Sequence, residues 1–510
     1  MTPKDKDNLN TDGSFFLKAK YLDIRTGHPW EVIIHYEDGK TYDIRAGDEL
    51  SLKWDHKKTE VKVDISKNII KPGEIGLFKD ILDKFYIKEG EVLELQLAPL
   101  ASSLDVIQKK LIGHRLSYPE VKSVIYDIVN YHLDDIQIAF FIAAAFMKKG
   151  FSNKEIYYLT KAMAETGEMF HWDGIVADKH SIGGVPGNRT TPIVVSIISS
   201  LGIKIPKTSS RAITSEAGTA DVIETVSPVE FSSEKIKEIV NQTNACLIWG
   251  GALKLAPADD RILKVSYELG IEPYSKMIIS IMAKKVAMGA THLIVDMPIG
   301  PGLKINKIKD ALQVKRIFQY LAKKFNIKTS VLIEKIEGPV GRGIGPALEI
   351  RDILRVLSQT DTRPLDLEKR AVKLAGMLLE LIGKAKRGEG MNLALQQLKN
   401  KEALQQFKKI IAVQGGINNL SENSIKIGEY YCEVKSNKKG IVKAIDNQKL
   451  IRLVRLLGSP ITKESGVYLN KIIGEQVSNG ETLFTCYTTS EQRLALALKE
   501  LEASELYTIG

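Results

Sequence analysis

From Asp178 to Glu224 the chain reads DKHSIGGVPGNRTTP, an apolar run IVVSIISSLGIKI, and then KTSSRAITSEAGTADVIE after one proline. The run has to be buried, and at each of its ends it carries a loop of small residues and hydroxyls. Gly183, Gly184, Gly187 and Gly218 remove side-chain bulk, so backbone N–H groups can come close to an anion. Ser181, Thr191, Ser209, Ser210 and Thr219 add hydroxyl donors, and Lys179 and Arg211 add fixed positive charge. His180 is a group that can give up a proton near neutral pH. Taken alone, Lys179-His180-Ser181 reads as a helix cap or a structural histidine. Beside the second loop, phosphate-handling chemistry is the better reading.

Regular patterns flank this segment. Phe15 to Leu97 alternates apolar and polar residues in FFLKAKYLDI, EVIIHYEDGKTYDI, ELSLKW and TEVKVDI, broken by turn formers such as Asp38–Gly39, and predicts a small β-barrel. From Asp105 to Gly167 the period turns helical. Ser117/Glu120 and Ser152/Glu155 form capping boxes, and Gly150 is expected to close the helix containing FFIAAAFMKK. THLIVDMPIG, RIFQYLAKKF and TSVLIEKI read as strand, helix and strand. From Ile425 to Tyr487 short alternating strands return. In GPVGRGIGPALEI, Pro346 stands where a dinucleotide fingerprint needs its last glycine, so a hinge or cleft wall is the better reading.

The formal charge of +10 comes from 72 Lys and Arg against 62 Asp and Glu, scattered as pairs with no aromatic-interleaved stripe, which argues against nucleic-acid binding. Cys246, Cys432 and Cys486 lack CxxC spacing and suggest reduced thiols, with no metal site. The first residues, MTPKDKDNLNTDGS, read as a disordered tail over 1–14, and the longest apolar stretch, Ile136 to Met147, is too short to span a bilayer. No membrane partner and a cytoplasmic location are expected.

The Ser-x-Arg and Gly-Thr-x-Asp-x-x-Glu pattern in SSRAITSEAGTADVIE, with the Lys-His-Ser loop in DKHSIGG, resembles the signatures of thymidine and pyrimidine-nucleoside phosphorylases. The likeness is to the long branch that includes AMP phosphorylases and bacterial chains labelled thymidine phosphorylase. It implies a multidomain α/β fold: an N-terminal, double-psi-like β-barrel over 15–97, a helical domain over 98–170 joined by about 256–289, a phosphate-binding α/β domain over 171–255 and 290–424, and a β-rich C-terminal module over 425–510. It implies phosphate binding by Lys179, Ser181, Gly184, Thr191, Ser209, Ser210, Arg211 and Thr219, and a leaving-base role for His180. Ile213, Ser215, Ser280 and Lys284 fall to the nucleoside. Inorganic phosphate would be a co-substrate, no cofactor is implied, and a homodimer or higher homo-oligomer is expected.

Substrate is where the chain departs from the short enzymes. No arginine stands at Val265 or Ser266, where they bind the pyrimidine. Ile271-Glu272-Pro273 matches an Ile-Asp-Pro whose aspartate is associated with adenine protonation in AMP phosphorylases, which makes Glu272 a catalytic candidate, and Lys304 matches a lysine those enzymes use for their nucleotide. Thymidine phosphorolysis is the nominal reading; a nucleoside 5′-monophosphate such as AMP is the alternative. Transfer to anthranilate from a magnesium-bound diphosphate donor, and a non-catalytic binding role, are the remaining alternatives. Glu216 occupies a place usually held by Thr or Ala. A carboxylate beside phosphate is repulsive, so Glu216 is expected to turn away or to meet the sugar or base.

Overall fold

The computed structural model describes residues 13–26, 30–98, 101, 103–147, 150–212, 215–253, 255–270, 273–503 and 505–510. Contacts divide the chain into two compact units, Met1–Lys148 and Lys149–Gly510. No helix among the described residues is long and apolar enough to cross a membrane.

In the first unit β1 (Phe15–Leu22), β2 (Glu31–His35), β3 (Glu49–Trp54), β4 (Lys57–Ser66), β5 (Glu74–Phe78) and β6 (Val92–Leu97) close a barrel in the order β1-β5-β2-β4-β3-β6. Alternation drives it: Phe15, Leu17 and Ala19 of β1 point inward onto Val32, Leu50, Leu52 and Leu95. Closure leaves no strand edge unpaired. The stretch read as strand–turn–strand around Asp38–Gly39 is instead a short helix, α1 (Tyr36–Thr41). The His35 ring accepts from the Glu37 N–H at its start, and a Cβ on buried Gly39 would stand 3.0 Å from the Ile44 carbonyl oxygen. After α2 (Lys79–Leu82) come α3 (Ser103–Leu111), α4 (Tyr118–Val129) and α5 (Asp135–Ala143). Gly150 does not close α5: the helix ends at Ala143, and its last turn tightens into a 3₁₀ turn over Ala144–Phe146.

The second unit opens with α6 (Asn153–Glu165), started by the Ser152/Glu155 box. Then follow β7 (Ala177–Ser181), α7 (Thr190–Ser200), β8 (Ile205–Ser209), α8 (Thr219–Ile223), α9 (Ser233–Thr243) and β9 (Ala245–Trp249). Next are α10 (Pro257–Glu268), α11 (Tyr274–Ala287), β10 (His292–Ile299), α12 (Ile308–Lys324) and β11 (Lys328–Lys335). α11 packs against α6. Parallel pairing runs β11-β10-β7 and β8-β9, and a parallel bridge between Val176 and Lys204 joins the two sets. The loops after β7, β8 and β10 therefore leave one edge of the sheet, the carboxyl edge where open α/β sheets bind ligands. The apolar run of the sequence is α7, buried on nearly every residue because α14 (Leu365–Leu381) and α16 (Glu402–Val413) cover it after α13 (Pro346–Ser358); α15 (Gly390–Lys399) lies between the two covering helices in sequence.

The C-terminal module keeps the expected strands, β13 (Tyr430–Lys435), β14 (Gly440–Ile445), β15 (Gly466–Leu469), β16 (Gln476–Val477), β17 (Thr482–Thr488) and β18 (Tyr507–Ile509), and adds two helices, α17 (Asn447–Leu457) and α18 (Glu491–Ala503). The spacing of Leu450, Leu453, Val454 and Leu457 marks the buried stripe of α17. One strand comes from the α/β domain: β12 (Gly343–Ile344) pairs antiparallel with β15.

Candidate active site

Lys179 lies near the end of β7 and is fully buried. Its Nζ donates to the Thr190 hydroxyl at 2.8 Å and the Thr191 hydroxyl at 3.2 Å, and stands 3.8 Å from the Asp296 carboxylate. Burial pulls its pKa down to about 8, and Asp296 keeps it from falling further. Ser181 also donates to Asp296, at 3.0 Å, and Arg370 of α14 pairs with the other oxygen of that carboxylate. Lys179, Ser181 and Thr191 thus sit around one loop. Its glycines turn at φ +90° and +91° (Gly183 and Gly184), a region that side chains strain to reach.

The second loop folds back on itself. The Asp221 carboxylate accepts from the Ala212 N–H at 2.7 Å and the Gly218 N–H at 2.8 Å. A Cβ on Gly218 would meet the Ser210 carbonyl oxygen at 2.3 Å, so only glycine lets Thr219 close onto Ser209–Ser210. Arg211 turns to Glu224, which it grips with both terminal nitrogens at 2.6 and 3.1 Å, and to Glu230, lying over the Trp249 ring. Those contacts hold the loop's shape, while the Asp221 carboxylate serves the backbone. Ser215 donates to the Ala217 carbonyl at 3.1 Å.

Glu216 joins the two loops. It is buried, accepts from the Gly187 N–H at 3.3 Å, and pairs with Arg189 at 3.2 Å, so it is turned away into the protein. Arg189 also pairs with Glu349 of α13. Burial raises both carboxyls, Glu349 to about 8, and the two acids share a single guanidinium. The shared guanidinium offsets carboxylate charge between the two loops.

Asp178 and His180, flanking Lys179 on β7, look toward other cations. Asp178 pairs with Lys285 of α11 at 2.7 Å and lies 3.8 Å from Lys207 of β8. Burial, then Lys285, Lys207, Lys179 and Lys284, hold the His180 imidazole well below its ordinary value. It is neutral at pH 7. Ser280 and Lys284, one helical turn apart on α11, both reach the buried Asp259 carboxylate of α10, at 2.6 and 2.5 Å. Burial opposes the charge on Lys284, but Asp259 outweighs it and raises the pKa. The loop carrying exposed Lys304 lies on the loop after β7: a Cβ on Gly184 would stand 3.3 Å from the Lys304 amide nitrogen. Ile213 and Glu272 lie outside the described residues.

Asp296, Arg370, Arg189 and Asp259 escaped the sequence reading. The signal for Asp296 was present: an aspartate inside the buried apolar strand THLIVDMPIG needs a partner, and a cationic one is the usual solution. The glycine-rich segment after β11 offers no open nest for an anion. Its N–H groups go to protein carboxylates, Gly341 to Asp366, Arg342 and Gly343 to Asp352, and Gly345 to Glu349.

Comparison with known proteins agrees with this geometry. "Glycosyl transferase family, a/b domain" matches residues 173–404, "Glycosyl transferase family, helical bundle domain" matches 104–167, and "Pyrimidine nucleoside phosphorylase C-terminal domain" matches 441–508. The chain is 40% identical over 484 residues to an AMP phosphorylase of Methanocaldococcus jannaschii, covering 95% of each chain. It is 38% identical over 483 residues to one of Methanosarcina acetivorans, covering 94% of each. In fold alone, an anthranilate phosphoribosyltransferase of Thermus thermophilus aligns at a TM-score of 0.52 and 17% identity, covering 61% of this chain and 99% of that one. The chain is a pentosyltransferase and belongs to the long branch of the thymidine and pyrimidine-nucleoside phosphorylase family that includes the AMP phosphorylases.

Proposed function

We propose that the protein phosphorolyses a nucleoside 5′-monophosphate, AMP in the first instance, giving ribose 1,5-bisphosphate and free base. The observation that carries this is similarity along nearly the whole chain to proteins named AMP phosphorylase. It favours the 5′-monophosphate over thymidine, the nominal substrate from sequence. The Lys304 backbone against Gly184 supports it, because a lysine carried on a turn next to that loop suits a substrate that brings a second phosphate.

In this reading hydrogenphosphate is held by Lys179, Ser181, Thr191, Ser209, Ser210 and Thr219. One of its oxygens bonds to C1′ as the C1′–N bond breaks, and the bonding pair leaves with the base, which takes up the proton. Catalysis is positioning and charge stabilisation. Neutral His180 acts as a hydrogen-bond donor to the base, and Glu272 is the candidate acid. Orthophosphate is the only co-substrate the reaction needs. Exposed Ile136 and Phe140, one turn apart on α5, support a homodimer through the helical segment of the first unit.

The test is base release from AMP, CMP, UMP, uridine and thymidine with phosphate, without it, and with arsenate. Phosphate-dependent release is expected at the highest kcat/KM from AMP. Faster turnover of thymidine would restore the nominal reading. No phosphate-dependent release from any substrate, or magnesium-dependent consumption of a phosphoribosyl diphosphate, would overturn phosphorolysis.

A further inference from the structure

The C-terminal module touches both substrate loops along one continuous stretch of chain. At its start, the Gln448 side-chain amide of α17 donates to the Gly302 carbonyl at 2.6 Å, two residues before Lys304. Gly302 turns at φ +71°, and a Cβ there would stand 3.4 Å from the Gln448 Cγ, so the helix lies directly on this turn. Seven residues on, about 10 Å along a helix, Arg455 donates to the Ser215 carbonyl at 3.2 Å. The buried Ser459 hydroxyl then donates to the Glu216 carbonyl at 2.7 Å. Lys463 pairs with Glu224 at 2.8 Å and lies 3.4 Å from Asp221.

These partners are not arbitrary surface. Ser215 and Glu216 are backbone of the second loop, and Asp221 is the carboxylate that holds its two ends together. Glu224 is shared between Lys463 and Arg211; burial alone would raise its pKa, but the two cations lower it. The mounting is stiff. β12 of the α/β domain is a strand of the module's own sheet, Arg342 pairs with Glu475 at 2.6 Å, and the Ala347 N–H at the start of α13 donates to the Lys463 carbonyl at 3.0 Å.

We propose that the C-terminal module is a clamp that sets the register of two substrate loops, with Ser459 and Lys463 positioning the second loop, Ser210 to Thr219, and Gln448 positioning the Lys304 loop. The assignment of ligands to the loops rests on the phosphorolysis reading above; the clamp itself rests on the contacts. Because the two ends of one rigid stretch hold different loops, the effects of removing them separate. A merely stabilising interface would lower the melting temperature and leave both Michaelis constants alone.

The full-length protein is compared with Ser459→Ala, Lys463→Met, Lys463→Arg and Gln448→Ala by phosphate calorimetry, steady-state kinetics and thermal melting. Ser459→Ala and Lys463→Met should weaken phosphate binding about 10-fold, with Lys463→Arg restoring most of it. Gln448→Ala should raise KM for AMP several-fold and leave phosphate affinity unchanged. Unchanged constants in all variants, or losses that simply follow the melting temperature, would overturn the clamp while wild-type phosphate binding left the phosphorylase reading intact. Absence of phosphate binding in the wild-type protein would sink that reading, and the clamp with it.

Discussion

Replacing Asp296 by Asn removes the carboxylate that faces both Lys179 and Arg370 beside the loop after β7, while keeping an oxygen for the Ser181 hydroxyl. Over 3.8 Å at an effective dielectric near 20, the Lys179–Asp296 attraction is ~4 kcal/mol, or ~3 pKa units. The lysine already stands at about 8 because burial opposes its charge. The sign is fixed: Asp296 favours the ammonium, so its loss lowers the pKa. A third of the Coulomb figure puts Lys179 near 7, and at neutral pH about half of the molecules would meet phosphate with a neutral amine. Forfeiting a charge-assisted hydrogen bond of ~1.5–3 kcal/mol weakens binding by roughly 10- to 100-fold in those molecules. Calorimetric titration of phosphate between pH 6 and 9 reads this directly. Wild-type affinity should fall as pH rises through about 8, where the free-enzyme lysine loses its proton. In the variant that fall should begin at least about one pH unit lower. Arg370 keeps Glu334 as a partner, so the variant should still melt cooperatively, although opening a buried pair costs about 3–5 kcal/mol when a charge is left bare. A cooperatively folded variant whose pH limb is not shifted from that of wild type would refute the argument.

Gly218→Ala drives a methyl into the Ser210 carbonyl at 2.3 Å; the clash should cost about 1–3 kcal/mol and open the second loop, seen as a lower melting temperature together with lost phosphate affinity. Because burial and four lysines hold His180 well below its ordinary value, acidification through pH 6.5 should not protonate it in the free enzyme. The kcat/KM profile should show no histidine limb there, and a limb near 6.5 that His180→Gln abolishes would contradict the neutral-donor role. Lys304→Ala should reduce the kcat/KM preference for AMP over adenosine by about 10- to 100-fold, the value of one charge-assisted contact to phosphate. An unchanged preference in a substrate comparison would remove Lys304 from the site.

Much of the architecture was present in local pattern. Period-two alternation announced the barrel, capping boxes opened α4 and α6, and a buried run between glycine loops became α7. The glycines and hydroxyls of residues 178–224 made the two loops legible because loop chemistry is written in neighbouring residues. Where local signals were weak the reading failed: YEDGKT has no apolar residue to fix a strand face over positions 37–40, and a histidine cap made it helical. Partners distant in sequence were not legible. Asp296 meets Arg370 across 74 residues, Ser280 and Lys284 meet Asp259 across a helix pair, and Ser459 meets Glu216 across 243. Local pattern marks most of the strands and helices and the two glycine- and hydroxyl-rich loops, since hydrophobic period and backbone freedom act over a few residues. Which buried charges neutralise one another was set by long-range packing, and with it that Glu216 faces Arg189 and that Lys179 stands beside Asp296. Those outcomes depend on burial and on distances of a few ångströms between groups that local pattern does not pair.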